Sequence, residues 1–262
     1  LLPCRKKKRI SYRQRNIKDL LPHYKLLFDQ IEKHKTNDEI NPLWYDLRIS
    51  NNCNLACQTC NSKSSSTIAK ENNIENPHLS YEPDLYINPD TIKIYMAGGE
   101  PFLIKKFISF LEKIKNKNCE IVVNTNATIL TKTFLNELTK FNTVSFTVSV
   151  DGYGIVNEKI RKHSVWNNIE KNIDTLISMG FRVDINTVVQ KDNINFLCEL
   201  ADYISSKDIK RWTLTELSGV EDHSLKNAEI DKIYIEKLLT YDIVKNNIES
   251  VNYLKYIIQE YT

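Results

Sequence analysis

Three cysteines, Cys53, Cys57 and Cys60, stand at CxxxCxxC spacing inside the stretch Asn51-Asn52-Cys53-Asn54-Leu55-Ala56-Cys57-Gln58-Thr59-Cys60. Thiolates are the usual ligands of iron–sulfur clusters. This spacing lets one short loop fold three of them around a single centre. A [4Fe–4S] cube takes four ligands, so a loop supplying three leaves one iron open for a small molecule to bind and react. The same residues also suit half of a zinc site, which takes four protein ligands, or a set of buried thiols. The nearest histidine, His78, sits in a polar segment with no second ligand beside it, and no further Cys or Cys/His pair follows to complete a zinc site. The balance favours the cluster.

Further groups with chemistry recur where apolar runs end. Gly98-Gly99-Glu100-Pro101 holds two of only six glycines in the chain. Such a pair allows positive φ and close approach to the backbone. Its carbonyls and the charge of Glu100 would favour a bound ammonium. Asn124-Thr125-Asn126 offers amides and a hydroxyl, although asparagine is also ordinary turn chemistry. In Ser149-Val150-Asp151-Gly152, Ser149 and Asp151 stand two apart and so share one face of a strand. Arg161 follows ten residues after Asp151, and a guanidinium fork fits a carboxylate. Asn186-Thr187-Val188-Val189 lies in another apolar run, where a core valine is the plain reading.

These groups need a scaffold that gathers strand ends. Apolar β-rich runs occur at Trp44–Ile49, Ile92–Ala97, Ile121–Thr125, Val144–Val150, Val183–Val189 and Trp212–Leu217. Helical patterns separate them at about 63–75, 104–117, 131–140, 165–179 and 194–206. Each interval exceeds the dozen or so residues of a parallel crossover. Such alternation predicts an α/β fold with a parallel sheet and helices outside. Six strands are two short of a closed (β/α)8 barrel. The cysteine loop follows the first strand, so it falls at the C-terminal ends of the strands.

On either side the pattern changes. Residues 1–40 read as a basic, helical extension, with Leu20, Leu21, Tyr24, Leu27, Phe28 and Ile31 forming one stripe. Residues 41–220 read as the core. Residues 221–262 read as a C-terminal helical extension that covers the open side or base, with stripes at Ile230, Ile233, Tyr234, Leu238, Leu239 and at Ile248, Val251, Leu254, Ile258.

Composition narrows the setting. The 262 residues are 41% hydrophobic, ordinary for a globular chain. No apolar run approaches the 18 or so residues of a membrane span, and no signal peptide is evident, which points to the cytoplasm. With 36 basic against 33 acidic residues, the charge is too balanced to make nucleic acid the main partner. Six cysteines, three of them clustered, fit a reducing compartment better than a disulfide framework.

CxxxCxxC after a first strand, followed by a strand ending in Gly98-Gly99-Glu100-Pro101, resembles the radical S-adenosylmethionine (SAM) superfamily. The resemblance covers about 41–220 and implies an open, partial (β/α)6 TIM-type barrel. It implies a [4Fe–4S] cluster on Cys53, Cys57 and Cys60. It further implies that SAM chelates the open iron and that reductive cleavage yields a 5′-deoxyadenosyl radical. Gly98, Gly99 and Glu100 would then hold SAM's amino group, Asn126 would meet the ribose or substrate, and Val188 would pack on the adenine. Thr59 stands where the family usually has an aromatic residue, leaving its backbone to meet the adenine. The Ser149-x-Asp151-Gly152 stretch is similar to the SPASM/twitch branch, in which the serine contacts SAM and an arginine, here Arg161, meets its carboxylate. Cys4 and Ser11-Tyr12-Arg13-Gln14 resemble the end of a twitch auxiliary segment. The branch implies a peptide or protein substrate, with a nucleotide or sugar-type small molecule as the alternative, and a flavodoxin or ferredoxin as electron donor. A non-catalytic iron–sulfur or zinc interaction module remains the contrasting class.

Overall fold

The computed structural model describes residues 43–75, 77–80, 91–217 and 220–262. The stripe, the basic run Arg5-Lys6-Lys7-Lys8-Arg9 and Cys4 of residues 1–40 lie outside the described residues. In chain order the first elements are β1 (Trp44–Leu47), β2 (Ala56–Cys57), α1 (Ser66–Glu71), β3 (Lys93–Met96), α2 (Lys105–Lys113) and β4 (Glu120–Thr125). Then come α3 (Lys132–Leu138), β5 (Thr143–Ser149), α4 (Ile155–Ile160), β6 (Arg161–Lys162), α5 (Trp166–Ser178) and β7 (Arg182–Val189). The chain continues through α6 (Leu197–Ser205), β8 (Arg211–Glu216), α7 (Lys232–Leu238), α8 (Asp242–Lys245) and α9 (Ile248–Tyr261).

Six strands form one parallel sheet in the order β1-β3-β4-β5-β7-β8, an open (β/α)6 partial barrel. Every one falls on an apolar run expected from the sequence. The runs are nearly continuous because a parallel sheet is covered on both faces. In β7, Val183, Asp184, Ile185, Thr187 and Val189 are all buried. The helices bury one stripe each, as α5 does with Trp166, Ile169, Ile173 and Leu176 at three- and four-residue steps. Within the sheet's core Phe102 meets Phe134 edge to face at 5.0 Å and lies 6.2 Å from Phe146.

The two-residue strands β2 and β6 were not foreseen. They pair antiparallel in a sheet of their own, with Ala56 opposite Lys162 and Cys57 opposite Arg161. Helix α4, between β5 and β6, was also missed. Six residues of helix and two of strand are too short to carry a period.

The C-terminal helices share the barrel's core: Ile235, Leu238, Val244, Leu254 and Ile257 are buried within the same apolar cluster as the strands. Ile233 and Ile248, expected on the inward stripes, are 75% and 67% exposed, and Ile235 and Ile257 take the inward places. Helix α9 also covers the open edge of β8. The Leu214 N–H donates to Ser250 Oγ at 3.0 Å, and Asn247 Nδ2 donates to the Trp212 carbonyl at 2.8 Å. A strand edge left with unpaired backbone groups is a template for aggregation, and these side chains occupy part of it.

Because the core is continuous, Leu254→Ala should destabilise the whole fold. Emptying a fully buried leucine site costs about 2–5 kcal/mol. Urea unfolding followed by tryptophan fluorescence and far-ultraviolet dichroism should keep a single transition at a lower midpoint. Separate loss of the C-terminal helices would contradict the shared core.

Candidate active site

The cysteine loop leaves β1 and is fastened from three directions. From below, Asn51 is buried with its amide fully used: Nδ2 donates to the Pro77 carbonyl at 2.9 Å, and Oδ1 accepts from the Leu79 N–H at 2.7 Å. On the flank, hydroxyls around the start of α1 tie the loop down. The Cys53 N–H donates to Ser66 Oγ at 3.2 Å, Thr67 Oγ1 donates to the Cys53 carbonyl at 2.7 Å, and Ser65 Oγ donates to the Leu55 carbonyl at 2.6 Å. Ser65 also caps α1, accepting from the Ile68 N–H. The third fastening is the β2–β6 pair, extended by the Gln58 N–H donating to the Ile160 carbonyl at 2.9 Å.

That pairing sets Arg161 directly across from Cys57. Arg161 Nε lies 2.9 Å from Asp151 Oδ2, and both side chains are nearly or wholly buried. The contact is an ion pair without hydrogen-bond alignment, and neither atom has another hydrogen-bond partner. Asp151 is held in turn. Its Oδ1 accepts from the Val188 N–H at 2.9 Å, its own N–H donates to Asn157 Oδ1 at 2.9 Å, and its carbonyl accepts from Asn193 Nδ2 at 2.8 Å. Asp151 therefore faces inward onto Arg161 and β7, not outward into the mouth with Ser149 as a simple strand alternation would have it. Ser149 is half-buried, opposite Asn186, and makes no side-chain hydrogen bond among the described residues.

Gly98 and Gly99 do adopt positive φ, +84° and +54°. At Gly99 the close approach comes from the cysteine loop itself: a Cβ there would stand 2.3 Å from the Asn52 carbonyl oxygen. The Glu100 N–H donates to that same oxygen at 2.7 Å. The Glu100 carboxylate turns inward, where it accepts from Thr125 Oγ1 at 2.7 Å, the Asn126 N–H at 2.8 Å and the Phe102 N–H at 3.2 Å. It is wholly buried, so its role in the structure is to join the ends of β3 and β4 and not to present charge to solvent. Burial raises its pKa to about 7, against the hydrogen bonds from Asn126, Thr125 and Phe102 that favour the charged form. Asn126 faces the loop: its Nδ2 donates to Asn54 Oδ1 at 3.1 Å and lies 4.0 Å from Cys53 Sγ.

The structure thus brings Gly98, Gly99, Asn126, Asp151 and Arg161 to the cysteine loop, directly or through one partner. Thr59 lies half-buried in the turn between Cys57 and Cys60, and Val188 reaches the assembly through its backbone bond to Asp151. The sequence reading missed Asn157, Asn193 and Gln190. Asn193 Oδ1 accepts from the Gln190 N–H at 2.8 Å, and Gln190 Nε2 reaches Gln58 Oε1 at 3.4 Å. All three are fully buried polar residues. For Gln190 and Asn193 the available signal was polar residues soon after a buried strand, which looks the same as a turn; Asn157 lies inside the short helix α4.

The donor set fits an iron–sulfur cluster. Among the described residues no three His, Cys, Asp or Glu side chains gather closely enough to hold one metal ion. A mononuclear zinc site needs such a gathering, whereas each thiolate of a cube takes its own iron. Donors already point at sulfur, the Leu55 N–H lying 3.5 Å from Cys53 Sγ. Burial pushes the Cys57 thiol up to about 12, with the Arg161 charge pulling the other way. Burial likewise raises Cys53 and Cys60. Thiols of this kind lose their protons to a metal. Cys119 and Cys198 are buried elsewhere in the apolar core.

Comparison with known proteins agrees with this geometry. The family model described as Radical SAM superfamily matches residues 47–204. An S-adenosylmethionine-dependent nucleotide dehydratase of Flammeovirga pacifica is 26% identical over 71% of this chain and 65% of its own length. A GTP 3′,8-cyclase of Sulfurovum sp. is 28% identical over 72% of this chain and 62% of its own. The chain spans under two thirds of the length of these curated relatives. Among solved structures, Streptococcus suis SuiB bound to S-adenosylmethionine superposes with a TM-score of 0.54 at 18% identity, covering 91% of this chain and 50% of SuiB. Native anSMEcpe with bound AdoMet gives 0.55 at 17% identity, covering 82% and 61%.

Glu100 gives a pH test of the site's frame. Its folded pKa, about 7, lies above the ordinary 4.5. The folded state therefore binds the proton more tightly, and stability falls as pH rises between those values. Urea titrations of metal-free protein from about pH 5 to 7.5 should show this loss, on the order of 3 kcal/mol at most. Glu100→Gln should flatten the slope; an unchanged slope would exclude Glu100 as its source.

Proposed function

The chain belongs to the radical SAM superfamily, and from that membership we propose that it cleaves SAM reductively and passes a hydrogen-abstracting radical to a peptide-class substrate. The family uses a [4Fe–4S] cluster and SAM. The observation that carries the proposal for this chain is the fastened three-cysteine loop with Arg161 paired across from Cys57. Cys53, Cys57 and Cys60 would hold the cluster. When bound, the cluster and SAM supply one-electron cleavage of a carbon–sulfur bond and hence a carbon radical able to take hydrogen.

The protein's own contribution is orientation. Arg161 is assigned to SAM's carboxylate: Asp151 holds its Nε side, leaving the far end of the fork for a second carboxylate. Gly98 and Gly99 leave backbone groups near the loop for SAM's amino group, while Glu100 supports them from behind. Ser149, Asn126, Val188 and the backbone of Thr59 complete the assignment, toward the ribose, the adenine and SAM's polar edge. The Ser149-x-Asp151-Gly152 pattern with Arg161 supports placing the chain in the SPASM/twitch branch. We assign a flavodoxin- or ferredoxin-type electron donor and a cytoplasmic setting, where thiols stay reduced. No helix among the described residues is long and apolar enough to cross a membrane.

The resemblance of Ser149-x-Asp151-Gly152 and Arg161 to the SPASM/twitch branch is what supports the peptide reading. The names of the curated relatives favour the second reading, a nucleotide substrate.

Anaerobic reconstitution with iron and sulfide should load the cysteine loop with about four irons. Adding reductant and SAM should then release 5′-deoxyadenosine. Cys53→Ala, Cys57→Ala or Cys60→Ala should each abolish both, while Cys119→Ala and Cys198→Ala keep them. Comparing turnover with a mixed peptide pool and with nucleoside triphosphates separates the substrate readings, and stimulation by triphosphates alone would remove the peptide.

For the carboxylate assignment, Arg161→Lys should weaken SAM binding on the order of tenfold, since lysine keeps the charge and loses the fork. Iron content should stay intact. Arg182→Lys, at a half-exposed position on the Asp184 pair, should bind as wild type. Equal SAM affinity for the Arg161 variant and wild type would remove it from the carboxylate.

A further inference from the structure

A second polar feature sits on the same end of the sheet as the cysteine loop, across the mouth from it. The C-terminal ends of β7 and β8 and the last turns of α9 enclose a small cleft. Val189, Glu216, Leu225, Tyr253, Tyr256 and Tyr261 line it. Asn247, which caps α9, and Ser250 in its first turn bond to Trp212 and Leu214 of β8, so the helix runs along the strand toward the mouth and delivers its tyrosines there.

Several observations give this cleft a chemical character. The Tyr253 hydroxyl is buried and has no hydrogen-bond partner. Leaving such a group unmade costs about 1–3 kcal/mol, and a native structure that keeps one calls for an explanation such as an absent ligand. Burial, ahead of the nearby Glu216, raises its pKa, so it is a neutral phenol with a lone pair to offer. Glu216, the last residue of β8, is exposed and has no cationic partner among the described residues. The Tyr256 and Tyr261 rings meet edge to face at 6.2 Å. A carboxylate, phenol oxygens and aromatic faces all favour a cation. The room is about 20 Å³. That holds one group of water or ammonium size.

We propose that this cleft seats a primary ammonium group, supplied by a lysine side chain of the substrate or by a free alkylamine. Tyr253 Oη and the Glu216 carboxylate accept its N–H bonds, and Tyr256 offers a ring face. Binding of the ammonium stands apart from the reading of the substrate; only its service as a substrate subsite rests on that reading.

The test is calorimetric titration of the reconstituted protein with N-acetyl-lysine methylamide. N-acetyl-norleucine methylamide, of similar reach without the charge, is the control, and n-butylammonium is the free-amine arm. The lysine compound should bind and the norleucine compound should bind about threefold to tenfold more weakly or not at all. Glu216→Gln should cost a similar factor. Tyr253→Phe should weaken binding while leaving the thermal midpoint unchanged or higher, because it deletes an unpaired buried hydroxyl. A structural role for that hydroxyl would instead lower the midpoint and leave binding alone, which would overturn the proposal. Equal binding of the two amides would overturn it as well. If n-butylammonium matches the lysine compound, the cleft reads the ammonium alone; if only the lysine compound binds, it reads a peptide side chain. Loss of 5′-deoxyadenosine formation with ammonium binding intact would count against the function reading and not against the cleft.

Discussion

The site depends on one two-residue pairing, Cys57 opposite Arg161. A loop with three cysteines would concentrate negative charge once its thiols ionise, and it has little secondary structure of its own to resist their repulsion. The β2–β6 pair supplies both backbone bonds and a guanidinium. Arg161 could not be buried alone, since an isolated charge in a low-dielectric interior is costly. Asp151 answers that charge from the end of β5. Breaking such a pair by removing one partner is far more damaging than its net contribution suggests, because the other charge is left stranded. The cysteine loop, β5 and β7 are therefore coupled through a contact of only 2.9 Å.

Around that pair the chain has built a polar interior and satisfied most of it. Asn157 and Asn193 hold Asp151, Asn193 also holds Gln190, and Gln190 reaches back to Gln58 in the cysteine loop. Glu100 does the same work between β3 and β4. Strand ends in a parallel barrel leave backbone groups exposed to whatever fills the mouth, and side-chain amides answer them without demanding a fixed protonation state. Three of the buried atoms without hydrogen bonds, Asp151 Oδ2, Arg161 Nε and Gln190 Oε1, belong to this network, and the first two face each other as an ion pair.

The fold was legible because burial on both faces of a parallel sheet writes long apolar runs, and all six appear in the sequence. The cysteine triad stands out as a candidate in the sequence because its spacing alone puts three thiols on one short loop. Much of the remainder depended on contacts between distant segments. Gly99 was noticed for its freedom, but its reason is the Asn52 carbonyl 47 positions earlier in the chain, standing where a Cβ would be. Glu100 was read as a charge for a ligand, and its environment turned it into a buried post. The inward side of α7 was misjudged at Ile233 because a short helix allows more than one stripe, and packing against the barrel chose Ile235. No local pattern announces β6, whose two residues become a strand only because Ala56 and Cys57 are there to pair with.

The open barrel also explains where charge is distributed. Its two edge strands face different problems. At β1 the chain leaves to form the cysteine loop, and the cation that balances it, Arg161, arrives from the middle of the sheet after β5. At β8 the edge is covered by Asn247 and Ser250 of α9, and the same helix carries tyrosines to the strand end beside Glu216. One side of the mouth thus gathers thiols around a buried guanidinium, while the other gathers a free carboxylate and phenol oxygens. A molecule bearing a carboxylate would find its complement on the first side, and one bearing an ammonium on the second. Specificity draws on the penalty for like-charge placements as well as on the gain from correct ones, so on the proposed reading this separation would bias the orientation of a molecule that spans both sides.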